Sequence, residues 1–542
     1  MKIKSFFVVS LVLLATAATQ TSCKKDGLEN NPNIASSAST IPVSLLLNHI
    51  TSTIIKNASP VSNSEEPWGN TYRLCQYYLS NYSYYWGSNF YNWSNSDHQY
   101  DLLKYAVKLE EQAQKQYGNT NNVYFAVSKF IRAYSSIWLA QRVGDIPMSQ
   151  AGDPNNLTPS FDTQKDVFKN SLKLLDDANT IFNSKISAAN ANTKLDAAGD
   201  IFGLTYLQWQ KLINTYRLRV LISLSKRAVD NPDLNIPSQF ASIVGNPAQY
   251  PIMTSNTDNV KYIYNAATNQ YPINRTGNAP YNNFANICKT YLDITTANLD
   301  PRTFIAATPA PIQIKAIASG GMGKTISDFT AYVGADMNTS QSVLFNDAPS
   351  GLYSFTNYSR YYTSAAGANC ESYIFLGYSE MCFNIAEGIN RGWFAGSAAS
   401  WYNNGINASL SVYGLTNGQN FPVADLNGTS LGSVTINIPQ FLSNPNVVYA
   451  GDNATGLTQI LKQKYVAMFN SSGWEAFYNW RRTGVPAFSQ GGVGIGTTNN
   501  LIPRRWQYPQ SEISYNAANY SSAIQSQFGG TDDVTKDTWL TK

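Results

Sequence analysis

Apolar and aromatic side chains return at steps of three and four along most of this chain, a spacing that commits it to helices packed on helices. The stripe Trp68, Tyr72, Cys75, Leu79, Tyr82, Trp86 predicts one helix running to Gly87, a residue suited to ending it. A second opens at Asp97 and stops at Gly118 after an exposed EEQAQKQYG end. Val123, Val127, Phe130, Ile131, Tyr134 and Trp138 mark a third. Phe168, Leu172, Leu175, Ala178 and Phe182 mark a fourth, with Thr163 and Asp166 resembling a capping box at its start. Trp209, Ile213, Tyr216 and Val220 mark a fifth. Helices resume from Glu371 to Asn390, over SAASWYNNGINASLSVYG, and, after the strand-like VTINI, over LTQILKQKYVAMFNSSGWEAFYNWRRTG. Paired helices with modest connections are the pattern of a helical array such as tetratricopeptide repeats, although no clean repeat of that period is present.

The periodicity fails in two places. Residues 228–370 and 486–542 are dominated by Pro, Gly, Asn and isolated Tyr, and are expected to be loop-rich with a few short strands or helices. Loops this long inside a compact protein are usually functional or disordered. No boundary is sharp enough to divide residues 41–542, so they read as one domain, helical over 41–227 and 371–485. Ahead of it, MKIKSFFVVSLVLLATAATQTSC has a basic start and an apolar run too short to span a bilayer. It reads as a signal peptide over residues 1–22, with lipidation expected at Cys23 and a flexible polar tether over 23–40. Several acyl chains on one Cys would anchor the chain stably.

Charged residues make up 13% of the chain and the net charge is +4 without a basic tract, which argues against nucleic acid as a partner. Asn, Ser, Thr, Gln and Tyr supply the polarity, beside 13% aromatics, and this suits a neutral, hydroxyl-rich ligand. Cys75, Cys288, Cys370 and Cys382 lack the close spacing of a zinc or thioredoxin-type site; they read as buried thiols, with a Cys370–Cys382 bridge left open. With only His49 and His98, an imidazole metal site or a His-dependent triad is nearly ruled out. Glu380 and Glu387 are the one pair of carboxylates that invites a glycosidase reading. Seven residues along one helix separates them by roughly 10 Å, at the long limit for an inverting pair. Both look buried, with Arg481 and Arg482 as the expected counter-ions. GGVGIG at 491–496 lacks the flanking strand and helix of a nucleotide loop and reads as a flexible loop.

A series of short motifs resembles the SusD/RagB-like outer-membrane lipoproteins of Bacteroidota. These are GDIPMSQA at 144–151 with PSFDTQKDVF after it, WQKLINTYRLRVLISLSKR at 209–227, LDPR at 299–302, SEMCFNIAEG at 379–388, GWFAGSAASWYNNGINAS at 392–409, and YNWRRTGVP with IPRRWQYPQSEISYN. The resemblance implies a mostly α fold in which four tetratricopeptide-like helix pairs pack against a loop-rich, ligand-binding part. It implies an outer-membrane, surface-exposed lipoprotein, not an enzyme, that passes glycan, or in some members peptide, to a TonB-dependent SusC-like transporter. CKKD is similar to the surface-export signals of such lipoproteins.

NYSYYWGSNFYNW, residues 81–93, holds seven aromatic rings in thirteen positions. In related proteins the loop after a comparable early helix contributes glycan contacts. The helical stripe assigns Tyr82 to packing and leaves Tyr84, Tyr85, Trp86, Asn89, Tyr91 and Trp93 as ligand-binding candidates. An aromatic plane covers the C–H face of a sugar while Asn amides hold its hydroxyls. A second cluster, YSFTNYSRYY, offers Tyr358, Arg360, Tyr361 and Tyr362 as an opposite wall. Peptide capture would use similar contacts, and a glycoside hydrolase is the rival outside binding. No cofactor is expected, and a structural calcium ion is left open.

Overall fold

A computed structural model of the chain describes residues 40–54, 65–93, 98–153, 155–265, 267, 269–274, 282–362 and 370–542. The signal peptide, Cys23 and nearly all of the tether lie outside the described residues. The fold is mostly helical. The helices His98–Tyr117, Val123–Val143, Gln164–Lys185 and Tyr206–Ser223 each pack on the next, as their apolar stripes require. Val123–Val143 is the centre of this array and is buried along almost its whole length. The fifth helix begins in a full capping box, Thr205 with Gln208. Thr163 instead accepts from the Asp166 N–H and donates its own hydroxyl to the Asp166 carboxylate, so its box is not reciprocal.

The second helical group, Tyr378–Asn390, Ala398–Val412 and Ala454–Ala467, joins the first where Tyr206–Ser223 meets Tyr378–Asn390. Between the groups, residues 228–370 form helices as long as Ile236–Gly245, several single helical turns and, among the described residues, two of six strands. The strands make three antiparallel pairs: β1 (Tyr78–Ser80) with β3 (Ala285–Ile287), β2 (Val260–Tyr262) with β4 (Tyr373–Leu376), and β5 (Asn420–Ala424) with β6 (Ser430–Thr435).

Several expectations are corrected. The predicted helix from Trp68 to Gly87 is a short helix, Asn70–Leu74, then strand β1, then one turn at Ser83–Trp86. Its apolar spacing is real, but Trp68 and Gln76 both take positive φ, which no continuous helix accommodates. The segment from Glu371 starts as strand β4 and becomes helical only at Tyr378, because Lys261 and Tyr262 supply a partner strand. GGVGIG is a packed turn: Gly494 donates to the Asn338 carbonyl, and a Cβ there would lie 2.2 Å from the Met337 carbonyl oxygen. Cys370 and Cys382 stand as thiols rather than as a bridge.

Candidate functional site

The β1–β3 pair sets the site. As the chain leaves β1, Asn81 donates its backbone N–H to the Phe284 carbonyl (3.0 Å) and its side-chain amide to the Asn283 carbonyl (3.0 Å) and to Asn286 Oδ1 (2.9 Å). Asn81 is fully buried, yet its Oδ1 has no hydrogen-bond partner. The turn that follows is held from three sides. Gly87 closes it at φ +78°, Arg73 donates to the Trp86 carbonyl, and the Gln341 amide bridges Ser80 O and Gly87 O (3.2 and 3.0 Å).

This frame presents a cluster of rings at the surface. Tyr82 lies 5.1 Å from Phe284 and stacks at 4.9 Å on Phe345, with Tyr84 6.3 Å away on the outer side. Tyr84 is 80% exposed and Phe345 is 42% exposed. Phe284 and Phe345 form one side of an open cleft of about 640 Å³, with Asn81 and Asn283. Pro311, Ile312, Lys315 and the turn Ala348–Gly351 make a further stretch of wall, and Leu426 lines it from the tip of the β5–β6 hairpin. Gly351 ties the two loops of that wall together. It has φ +68°, its carbonyl accepts from the Ile312 N–H, and a Cβ would come within 2.7 Å of Pro311 Cβ. A cleft of this size, apolar with a few amides, is within the range of small-ligand sites.

Most of the candidates from sequence lie elsewhere. Asn89 is buried and exchanges hydrogen bonds with the backbone of Ser80, acting as an extra rung on β1. Tyr91 is buried and donates to the Leu74 carbonyl. Trp93, 7% exposed, stacks on Trp506 at 4.2 Å and meets Trp474 and Phe477 edge-on. Tyr361, 1% exposed, packs against Trp68 and Tyr271. Tyr362 is buried under Tyr358, their rings 5.5 Å apart. Arg360 is ion-paired with Glu371. Their polar atoms or ring faces are already used inside, and none of Tyr358, Arg360, Tyr361 and Tyr362 lines the cleft. Tyr84 stands at the rim. Trp86 is half-buried, edge-on to Tyr78; Tyr85 belongs to the same turn, Ser83–Trp86.

Tyr82 is the reverse case, assigned to packing by a continuous helix that the chain does not form. Phe284, Phe345, Pro311, Ile312, Lys315 and Leu426 went unrecognised because nothing in their spacing sets them apart. The sole sign was local: NNF at 282–284 and FNDAPSG at 345–351 put single rings beside amides, Pro and Gly inside the aperiodic region.

The paired carboxylates are fully engaged. Arg219 grips Glu380 at 2.7 and 2.6 Å, and Ser472 adds a third bond. Burial opposes the charge on Glu380, but Arg219, with Lys464 and Ser472, outweighs it and holds the carboxyl below its ordinary value. Glu387 is gripped by Arg482 and Arg391; against burial, these hold it down at about 2. Arg482 is the expected partner of Glu387, whereas Arg481 bonds to the carbonyls of Gln141 and Arg504. Neither carboxylate reaches the cleft. Among the described residues, no group of three His, Cys, Asp or Glu could hold a metal, and no helix is long and apolar enough to cross a membrane.

A family model described as "Starch-binding associating with outer membrane", of the SusD-like type, matches residues 32–509. Solved structures agree. A SusD homologue from Bacteroides fragilis NCTC 9343 is 27% identical with a TM-score of 0.74, over 92% of this chain and 100% of that one. Another from the same organism is 29% identical with a TM-score of 0.70, over 92% and 99%. A chitin-binding SusD homologue from Flavobacterium johnsoniae shares the fold at 18% identity and a TM-score of 0.64, over 92% and 98%. No curated protein matches the sequence.

Proposed function

Because the chain belongs to the SusD-like family of starch-binding, outer-membrane-associated proteins, we propose that it binds an oligosaccharide in the cleft beside Tyr82 and delivers it, unaltered, to a TonB-dependent SusC-like transporter. The observation that carries this reading is the cleft itself: an open recess of about 640 Å³ with aromatic rings and amides on one wall and no carboxylate in its lining. The rings of Tyr82, Tyr84 and Phe345 cover sugar faces, and the exposed amide of Asn283 is placed for hydroxyls. Turnover would need an acid and a base at the ligand, and Glu380 and Glu387 are committed to arginines inside the protein. In this reading residues 41–542 act as one unit, and Cys23 carries the lipid that moors it to the outer face of the outer membrane.

Pro311, Ile312, Pro349 and Leu426 give the cleft an aliphatic character that also favours peptide side chains. Calorimetry against a panel of oligosaccharides, chito-oligosaccharides included, and of peptides, with a reducing-end assay alongside, separates the readings. Saccharide binding without new reducing ends is expected. Binding of peptides alone would transfer the cleft to peptide capture, and released reducing ends would make the protein a hydrolase.

A further inference from the structure

We propose that Lys315 makes the cleft selective for oligosaccharides that carry a negative charge, as a carboxylate or a sulfate. The inference rests on reading the cleft as the saccharide site.

Of the thirteen residues that line the cleft, Lys315 alone has a charged side chain. It is exposed, and among the described residues its ammonium has neither an ion-pair nor a hydrogen-bond partner. Being unpaired is not what sets it apart, since exposed lysines such as Lys169 and Lys261 also lack a partner among the described residues; its place as the sole charge in the cleft is. Lys324, on the same loop, donates to the Thr330 carbonyl (3.0 Å).

The backbone that carries Lys315 is fixed, so the charge is held at the cleft even though the side chain can turn. Met322 N–H donates to the Ile312 carbonyl, Gly323 N–H to the Lys315 carbonyl and Lys324 N–H to the Gln313 carbonyl, all at 2.9–3.0 Å. The loop folds back so tightly that a Cβ on Gly321 would lie 2.1 Å from the Lys315 carbonyl oxygen. An unneutralised cation beside the apolar walls of Pro311, Ile312 and Phe345 attracts an anion more strongly than the same charge on an open surface, because low-dielectric walls focus its field. A neutral sugar gains little from it. A ligand with an acidic group at that end supplies the missing counter-ion.

The test is calorimetry with matched pairs of oligosaccharides: oligogalacturonates against their methyl esters, and sulfated galactans against their desulfated forms. The wild type is expected to bind the charged member of at least one pair roughly two- to fivefold more tightly, the gain expected of one exposed ion pair. That preference should shrink as salt is raised. The responding pair identifies the anion as carboxylate or sulfate. In Lys315→Gln the preference should vanish while the melting temperature stays unchanged, since the side chain is exposed. Equal affinity for both members of every pair, or a preference that survives in Lys315→Gln, would overturn the inference and leave the saccharide reading standing. If nothing in this panel or the wider one binds, the saccharide reading itself fails.

Discussion

Tyr82 and Trp93 belong to one aromatic stretch, yet the fold uses them in opposite ways. Tyr82 stacks on Phe345 at the surface, whereas Trp93 is enclosed by Trp474, Phe477 and Trp506. Tyr82→Ala and Phe345→Ala are each expected to weaken saccharide binding about tenfold or more, with the melting temperature nearly unchanged. Trp93→Ala should do the reverse, costing roughly 3–5 kcal/mol of stability as a large core truncation, with the folded fraction binding normally. Denaturant titration beside calorimetry checks both. The motifs that carry the family resemblance are of the second kind. The Asp and Arg of LDPR form a fully buried pair that reaches Ser409 and Gln463, and the glutamates of SEMCFNIAEG are the partners of Arg219 and Arg482. Arg482→Met would leave Glu387 buried with Arg391 as its main remaining counter-ion. A loss of about 3–5 kcal/mol is expected, readable as a lower denaturation midpoint with an unchanged slope.

Among elements, the wall formed by Pro311–Ile314 and the turn Ala348–Gly351 depends on one residue without a side chain. Gly351→Ala combines a positive φ with a clash against Pro311, so the two loops must part. Binding should weaken more than stability; unchanged affinity would show that this wall does not touch the ligand. The junction between the two helical groups makes a different prediction. At the start of Glu475–Thr483, burial outweighs the pull of Arg219 and, with the charge of Glu380, pushes Glu475 up to about 7 from an ordinary 4.5. Between those values the folded protein holds a proton that the unfolded chain has released. This contribution is therefore complete below about pH 4.5 and lost as pH rises through 7. Glu475→Gln should flatten the decline of stability towards pH 7. Asp145 and Asp200, raised by burial to about 6, should keep the lower part of the slope. Glu387 works in the other direction, its stabilisation present above about pH 4.5 and lost as pH falls towards 2.

For the molecule as a whole, the helical array was legible because burial on one face leaves a period in the sequence, as Phe168, Leu172, Leu175 and Phe182 illustrate. The same signal misled where polar or strained backbone interrupts it, at Trp68 and Gln76. The cleft was barely legible. Its residues come from five separate segments and meet only because β1 pairs with β3 and Gly351 meets Pro311, contacts that no local pattern encodes. If the protein is a lipoprotein lid on a transporter, gentle solubilisation of the outer membrane should yield it with a β-barrel partner, and Cys23→Ala should release it from the membrane. Repeated recovery as a lone membrane-bound protein would remove the partner. The central claim is that ligand occupies the cleft between Tyr82 and Lys315. Hydrogen exchange with and without the tightest-binding oligosaccharide tests it directly. Protection is predicted at 81–87, 311–315 and 345–351; protection confined to other segments, with these unchanged, would contradict the account.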